Sequence, residues 1–514
     1  MTSPDGELRR LALGVLLPGF SGSSPPGWLL DRVADGLAGV VLFARNVDAA
    51  DPDEGVAALT AQLRTTRPDV LVGIDEEGGD VTRLDHALGA RVPGPAALGR
   101  VDDLTLSRRV AQATGVRLAR AGVRLVLAPV ADVHADPDNP VIGIRSFGPD
   151  PQLVARHVAA TVAGLHDAGV AATAKHFPGH GATRDDSHLT APVLDADLDL
   201  LRRRELVPFR AAVAAGVDVV MTAHVRYPAL DPAVATLSHR VVTDLLRGEL
   251  GFSGVVMSDG LDMYAISGTV GRAEGAVQAL AAGVDALCLG GESLDLAHVD
   301  GLAAAIAAAV RDGRLPQQRL AEAAGRVVAL AARLAALSDR AGADSPGPDS
   351  PGPDSPGPDD PGREAARRAI EVSGSVVLTG PPLVAELVDA GSIPAGDVPW
   401  GVGAAVAAKV PGTRVRRVDA ATSSDPAAVA AALVAEAGTG PLVLSARHTR
   451  RGCWPRAVID AVAAARPDLV LVDHGLPAPD LVVARVATWS ASRVSAEAAA
   501  DVLAGVQRWL PSSP

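Results

Sequence analysis

One run of fourteen residues, Lys175 to His188, reads KHFPGHGATRDDSH and gathers a lysine, three histidines and two adjacent aspartates. Pro178 lacks an amide donor, and Gly179 and Gly181 open backbone angles that other residues avoid, so the run is expected to be an irregular loop. Loops held by a rigid scaffold are where binding and catalytic groups concentrate. Of 47 Lys+Arg residues only Lys175 and Lys409 are lysines, which leaves 47 − 2 = 45 arginines. A chain that otherwise takes its positive charge from arginine places a compact three-donor ammonium here, which suggests a specific partner.

Three chemistries could use these groups. Asp186 and His188 are two residues apart; a carboxylate on one imidazole nitrogen fixes the tautomer and leaves the other nitrogen to exchange a proton. A nucleophile for such a pair is Asp259, which ends the apolar run VVMSDG where Gly260 allows close approach and a sharp exit. An ionised carboxylate there could attack an anomeric carbon and form a covalent glycosyl intermediate. Alternatively, His176, His180, His188 and an aspartate could ligate zinc, although Phe177-Pro178-Gly179 prevents helical spacing and Lys175 would repel the cation. The plain structural reading is a solvated cation with His176 and His180 packed beneath it, and an Asp259 that only caps a helix.

These residues must be positioned by something. Eight strand-like runs occur in the first two thirds of the chain: 11–17, 39–43, 70–74, 124–129, 171–174, 217–222, 254–257 and 284–289. Their continuous Val, Leu and Ile content suits strands buried on both faces of a parallel sheet. Helical patterns lie between them, among them 104–121, 152–167 and 198–215, with Gly122, Gly169 and Gly216 as stops. The alternation predicts an α/β chain whose residues 1–340 form a (β/α)8 TIM-type barrel, with a doubly wound open sheet as the other possibility. In a barrel, chemistry belongs at the C-terminal strand ends. Asp75, Lys175, His176, His224 and Asp259 fall at such ends, and Arg83 and Arg145 lie in the connections after the third and fourth strands.

Residues 344–362, DSPGPDSPGPDSPGPDDPG, cannot bury a core, so 341–362 is expected to be a solvated linker. Residues 363–514 return to an α/β pattern, with strand-like runs at 375–378, 441–444 and 469–472, and predict a smaller α/β sandwich domain. His448, Arg450, Arg451, Asp473 and His474 sit near its strand ends without any specific spacing.

Composition narrows the partners. A net charge of −13 argues against nucleic acid or an anionic membrane. No apolar stretch approaches the roughly 20 residues of a membrane span. The N-terminal apolar run is broken by Pro18 and Gly19, which reads as a strand rather than a signal peptide, so the expected location is cytoplasmic. Cys288 and Cys453 are far apart and carry no metal-ligand spacing.

Taken together, KHFPGHG with its DSH ending, IDEEGG ahead of Arg83, NPVIGIRSFG, MTAH and GFSGVVMSDGLDM resemble glycoside hydrolase family 3, and within it the β-N-acetylglucosaminidases of the NagZ type. The likeness spans roughly residues 8 to 335. It implies that Asp259 is the nucleophile and that Asp186 with His188 is the acid/base dyad. It further implies that Lys175, His176, Asp75, Arg83, Arg145 and His224 line the substrate pocket. The expected activity is removal of terminal β-linked N-acetylglucosamine with retention, from small glycoconjugates such as peptidoglycan fragments, without metal or organic cofactor. A phosphorylase of the same family, a metal-dependent barrel hydrolase and a non-catalytic sugar-binding protein remain the alternatives. Gly179, Gly181 and Ala182 are expected to give the 175–188 loop flexibility.

Overall fold

Uninterrupted Val/Leu/Ile runs need cover on both faces, and here they form parallel strands. In this computed structural model, which describes residues 4–291, 294–343, 360–389 and 393–506, eight of them follow in order. They are β1 (Leu16–Leu17), β2 (Gly39–Leu42), β3 (Leu71–Ile74), β4 (Leu125–Val126), β5 (Ala171–Phe177), β6 (Val219–Thr222), β7 (Val255–Ser258) and β8 (Leu287–Cys288). Strands β2 to β7 pair in chain order as a six-stranded parallel sheet, and β1 pairs with β8. Hydrogen bonds run from both edges of the larger sheet to the smaller pair: Val41 N–H to Pro18 O (3.1 Å) and Ser258 N–H to Ala286 O (2.9 Å).

The described residues fall into two compact units that no single cut of the chain separates. One holds residues 1–77, 107–142 and 148–356; the other holds 78–106, 143–147 and 357–514. Residues 344–359 of the expected linker lie outside the described residues.

In the first unit, helices fill the connections between strands. Pro52–Thr66 and Pro151–Asp167 each begin with proline behind an aspartate cap, Asp51 accepting from Glu54 N–H and Asp150 from Gln152 N–H. Gly122 ends the helix Leu104–Arg120 at φ 77°, and a Cβ there would lie 2.3 Å from Thr60 Oγ1. Inside the strands, Leu17, Val41, Leu71, Leu125, Val219, Met221, Val255 and Met257 form one cluster with Val327, Leu330 and Leu334 of the helix Gln317–Ala343. Of the run 11–17 expected as a first strand, only Leu16–Leu17 is strand; residues 11–13 end the helix Pro4–Leu13, in which Leu8, Ala12 and Leu13 bury one side while Arg10 stays outside.

The second unit has its own six-stranded sheet, in the order Glu371–Ser373, Ala484–Ala487, Val470–Asp473, Leu442–Ala446, Leu383–Val388, Arg414–Asp419. All its pairs are parallel except the first, which is antiparallel. Alternate residues serve two apolar clusters: Leu383, Ala385 and Leu387 one, Val384 the other. The strand expected at 375–378 lies instead at Glu371–Ser373, ended by Gly374 at φ 75°. The strand Leu383–Val388, which the sequence reading passed over, carries pairing on both sides.

Candidate active site

The rim of the first unit is built where strands stop. Asp75 follows β3 directly, His224 lies just past β6, and Asp259 is the residue after β7, its N–H donating to Thr222 O at 3.3 Å. Lys175 and His176 lie inside β5 rather than beyond it. Ala174 pairs with Val220 and Phe177 with Thr222, so both face a single residue of β6. This bulge re-aims the two side chains toward the strand ends.

Each base there meets a carboxylate. Lys175 Nζ lies 2.8 Å from Asp75 Oδ1 and 2.6 Å from Glu77 Oε1, and its side chain is only 3% exposed. A compact ammonium suits a bridge between two carboxylates, which is the specific partner that the rare lysine implied. His176 Nδ1 lies 2.7 Å from Asp132 Oδ2, while Asp132 Oδ1 accepts from the amide of His180 at 2.6 Å. With Nδ1–H on a carboxylate, the imidazole presents Nε2. Glu77 and Asp132 were not picked out as functional from sequence. For Glu77 the signal was there, since it is two residues on from Asp75 in an extended segment and so shares its side.

Asp259 accepts from Gly260 N–H at 2.8 Å. Burial pushes its carboxyl up, but His176, His224, His188 and the Gly260 amide outweigh that and hold its pKa at about 2. It is therefore ionised across the neutral range.

Asp186 and His188 form the pair that their spacing predicts. Asp186 Oδ1 takes the His188 ring at Nδ1 (2.7 Å) and the His188 amide (2.8 Å). Burial raises the Asp186 carboxyl, yet the His188 ring and amide hold it below its ordinary value. The His188 imidazole is partly exposed.

His224 is fully buried, with Nδ1 2.8 Å from Thr236 Oγ1 and Nε2 2.9 Å from Gly260 O. Both ring nitrogens are engaged within the protein, one of them on the peptide beside Asp259. The loop glycines serve close packing rather than flexibility: a Cβ on Gly181 would lie 1.8 Å from Val133 O, and one on Gly179 2.7 Å from Glu205 Oε2. Arg83 and Arg145 belong to the second unit, where both are buried and Arg83 Nη2 donates to Pro394 O at 2.9 Å. Asp80 of that unit lies 3.5 Å from Arg447.

Parallel strands thus bring an ionised aspartate and a histidine–aspartate pair to one rim. Residues 31–330 match the Glycosyl hydrolase family 3 N terminal domain, and the chain belongs to that family. It is a glycoside hydrolase. A structure of a glycoside hydrolase family 3 beta-N-acetylglucosaminidase from Paenibacillus sp. str. FPU-7 is similar over 97% of this chain and 96% of its own, with a TM-score of 0.84 and 33% identity. The Beta-hexosaminidase of Stenotrophomonas maltophilia (strain K279a) is 43% identical over 237 residues, 45% of this chain and 69% of its own. Beta-hexosaminidase A of Pseudoalteromonas piscicida is 32% identical over 324 residues, 58% of this chain and 54% of its own.

Proposed function

We propose that this hydrolase is a retaining exo-β-N-acetylglucosaminidase acting on small glycoconjugates such as peptidoglycan fragments. The eight parallel strands are read as a closed (β/α)8 barrel, on the strength of the hydrogen bonds from both edges of the larger sheet to β1 and β8. The observation that carries the mechanism is the pairing of an Asp259 held at a pKa of about 2 with a His188 whose Nδ1 is bound to Asp186. An Asp259 oxygen attacks the anomeric carbon while His188 Nε2 gives its proton to the departing oxygen, leaving a glycosyl-Asp259 ester and a neutral imidazole. The imidazole then takes a proton from water, whose oxygen breaks the ester and restores the β configuration. Asp186 holds the ring and stabilises the imidazolium in both steps. Asp75, Lys175 and His176 are assigned to the sugar hydroxyls, with Glu77 and Asp132 fixing the two bases.

Neither step draws on a metal or organic cofactor. No helix among the described residues is long and apolar enough to cross a membrane, and the proposed setting is the cytoplasm. The relatives' names, beta-hexosaminidase and beta-N-acetylglucosaminidase, support the choice of sugar.

The test is product analysis on an aryl N-acetylglucosaminide and a β-linked N-acetylglucosaminyl disaccharide, with glucosides as controls and with phosphate present or absent. Free N-acetylglucosamine appearing first as the β anomer is expected. A sugar 1-phosphate formed only with phosphate would make the protein a phosphorylase, and a first-formed α anomer would remove the covalent intermediate.

A further inference from the structure

The turn that carries the acid/base pair is tied to a histidine that the reaction itself does not use. His180 is 1% exposed, and both its ring nitrogens have hydroxyl partners: Nδ1 lies 2.7 Å from Thr183 Oγ1 and Nε2 3.0 Å from Ser187 Oγ. The direction of each bond follows from the surrounding network. Thr183 spends its own hydroxyl proton on His180 O (3.0 Å) and also faces Asn139 Nδ2 at 3.2 Å, so toward the ring it must accept. The His180 proton therefore sits on Nδ1, Nε2 is a bare lone pair, and Ser187 donates to it.

The other end of the same residue is equally fixed. His180 N–H donates to Asp132 at 2.6 Å, the carboxylate that also holds His176, and Asn139 Nδ2 donates to His180 O and Thr183 O, both at 2.9 Å. Asn139 Oδ1 in turn accepts from the amides of Val141 and Ile142. A continuous chain of buried hydrogen bonds thus leads from the floor beside His176 to Ser187, the residue between Asp186 and His188.

We propose that His180 is a positioning residue for proton transfer, which through its bond to Ser187 holds the Asp186–His188 turn where His188 can reach the departing oxygen. This rests on the acid/base reading of that pair. Burial pushes the His180 imidazole down to about 4, so the lone pair is available to Ser187 throughout the neutral range. A misplaced acid matters in proportion to how much the leaving group needs its proton, whereas a disordered sugar site would slow every substrate alike.

The experiment compares Ser187→Ala, His180→Leu, His180→Gln and their double variant with wild type. Substrates are a β-linked disaccharide and an aryl glycoside with an acidic phenol leaving group, and thermal melts control for folding. Ser187→Ala and His180→Leu are expected to lower kcat/KM on the disaccharide about 10-fold or more, part of the roughly 10²–10⁴ that an acid/base group supplies. On the aryl glycoside kcat/KM, which reports only formation of the glycosyl ester, should stay within about 3-fold, the signature of a lost proton-transfer geometry. The double variant Ser187→Ala/His180→Leu should be no worse than His180→Leu, and His180→Gln, whose amide oxygen can accept from Ser187, should keep more activity. Equal losses on both substrates, or none on either, would overturn the proposal. His188→Ala serves as the separate check: if it too ignores the leaving group, the acid/base reading fails, and with it the ground for a positioning role.

Discussion

Asp259 and Asp285 stand at opposite ends of neighbouring strands in the same unit, the first just beyond β7 and the second just ahead of β8. Asp285 is completely buried and accepts from Arg247 (2.5 Å), Arg319 (2.5 Å), Arg326 (3.0 Å) and the amide of Val256 (3.0 Å). Asp259 accepts from one amide and is otherwise influenced by the imidazoles of His176, His224 and His188. Guanidinium groups stay charged and grip a carboxylate in fixed forks, so the Asp285 cluster is a brace. Imidazoles stabilise the Asp259 charge from nearby while leaving a carboxylate oxygen able to form a bond. The same side chain is thus a brace at the N-terminal ends of the strands and, in the proposed mechanism, the nucleophile at the C-terminal ends.

The sharpest way to break this contrast is to replace each aspartate by asparagine. Asp259→Asn should lower kcat/KM at least about 10⁴-fold, as loss of a nucleophile does, with a melting temperature equal to or above wild type. Activity within 10-fold of wild type would end the assignment. His188→Ala should cost about 10²–10⁴-fold on the disaccharide and much less on the activated aryl glycoside, measured as kcat/KM on the two substrates. Asp285→Asn should do the reverse of Asp259→Asn. It leaves three partly buried arginines short of their partner and should cost about 3–5 kcal/mol of stability in denaturant unfolding. Activity per folded molecule should remain within about 3-fold.

The smallest effect concerns a third carboxylate. Glu205 accepts from Arg204 Nε at 2.6 Å, but its buried Oε2 has no hydrogen-bond partner among the described residues. Burial, against the pull of Arg204, raises its pKa to about 7. Between the unfolded value of about 4.3 and 7 the folded chain holds the extra proton, so the wild type loses stability as pH rises through that window. Glu205→Gln lacks that loss, and its unfolding midpoint relative to wild type should improve from pH 5 to pH 8. A difference that stays flat with pH would show that Glu205 is ionised throughout, held like Asp285.

Much of the site was legible along the chain. Lys175, His176, Asp186, His188 and Asp259 stand in short motifs, and strand ends are readable because buried parallel strands are short apolar runs that must stop at polar residues. Asp186 and His188 meet as expected because a two-residue spacing in a turn is itself local. The motif around His224 gives no sign that Thr236 and Gly260 take up both of its ring nitrogens. The strand Leu383–Val388 was passed over, and it lies centrally enough to pair on both sides.

The sequence by itself determined which kinds of group reach the rim and in what order, since composition, alternation and turn residues act over a few positions. Only the tertiary structure decided which charge each group faces. Lys175 finds Asp75 a hundred residues away, and His176 finds Asp132 through a bulge in β5. Hydrogen bonds are selective over tenths of an ångström, and those distances are set by strand register and close backbone packing, which no local pattern specifies.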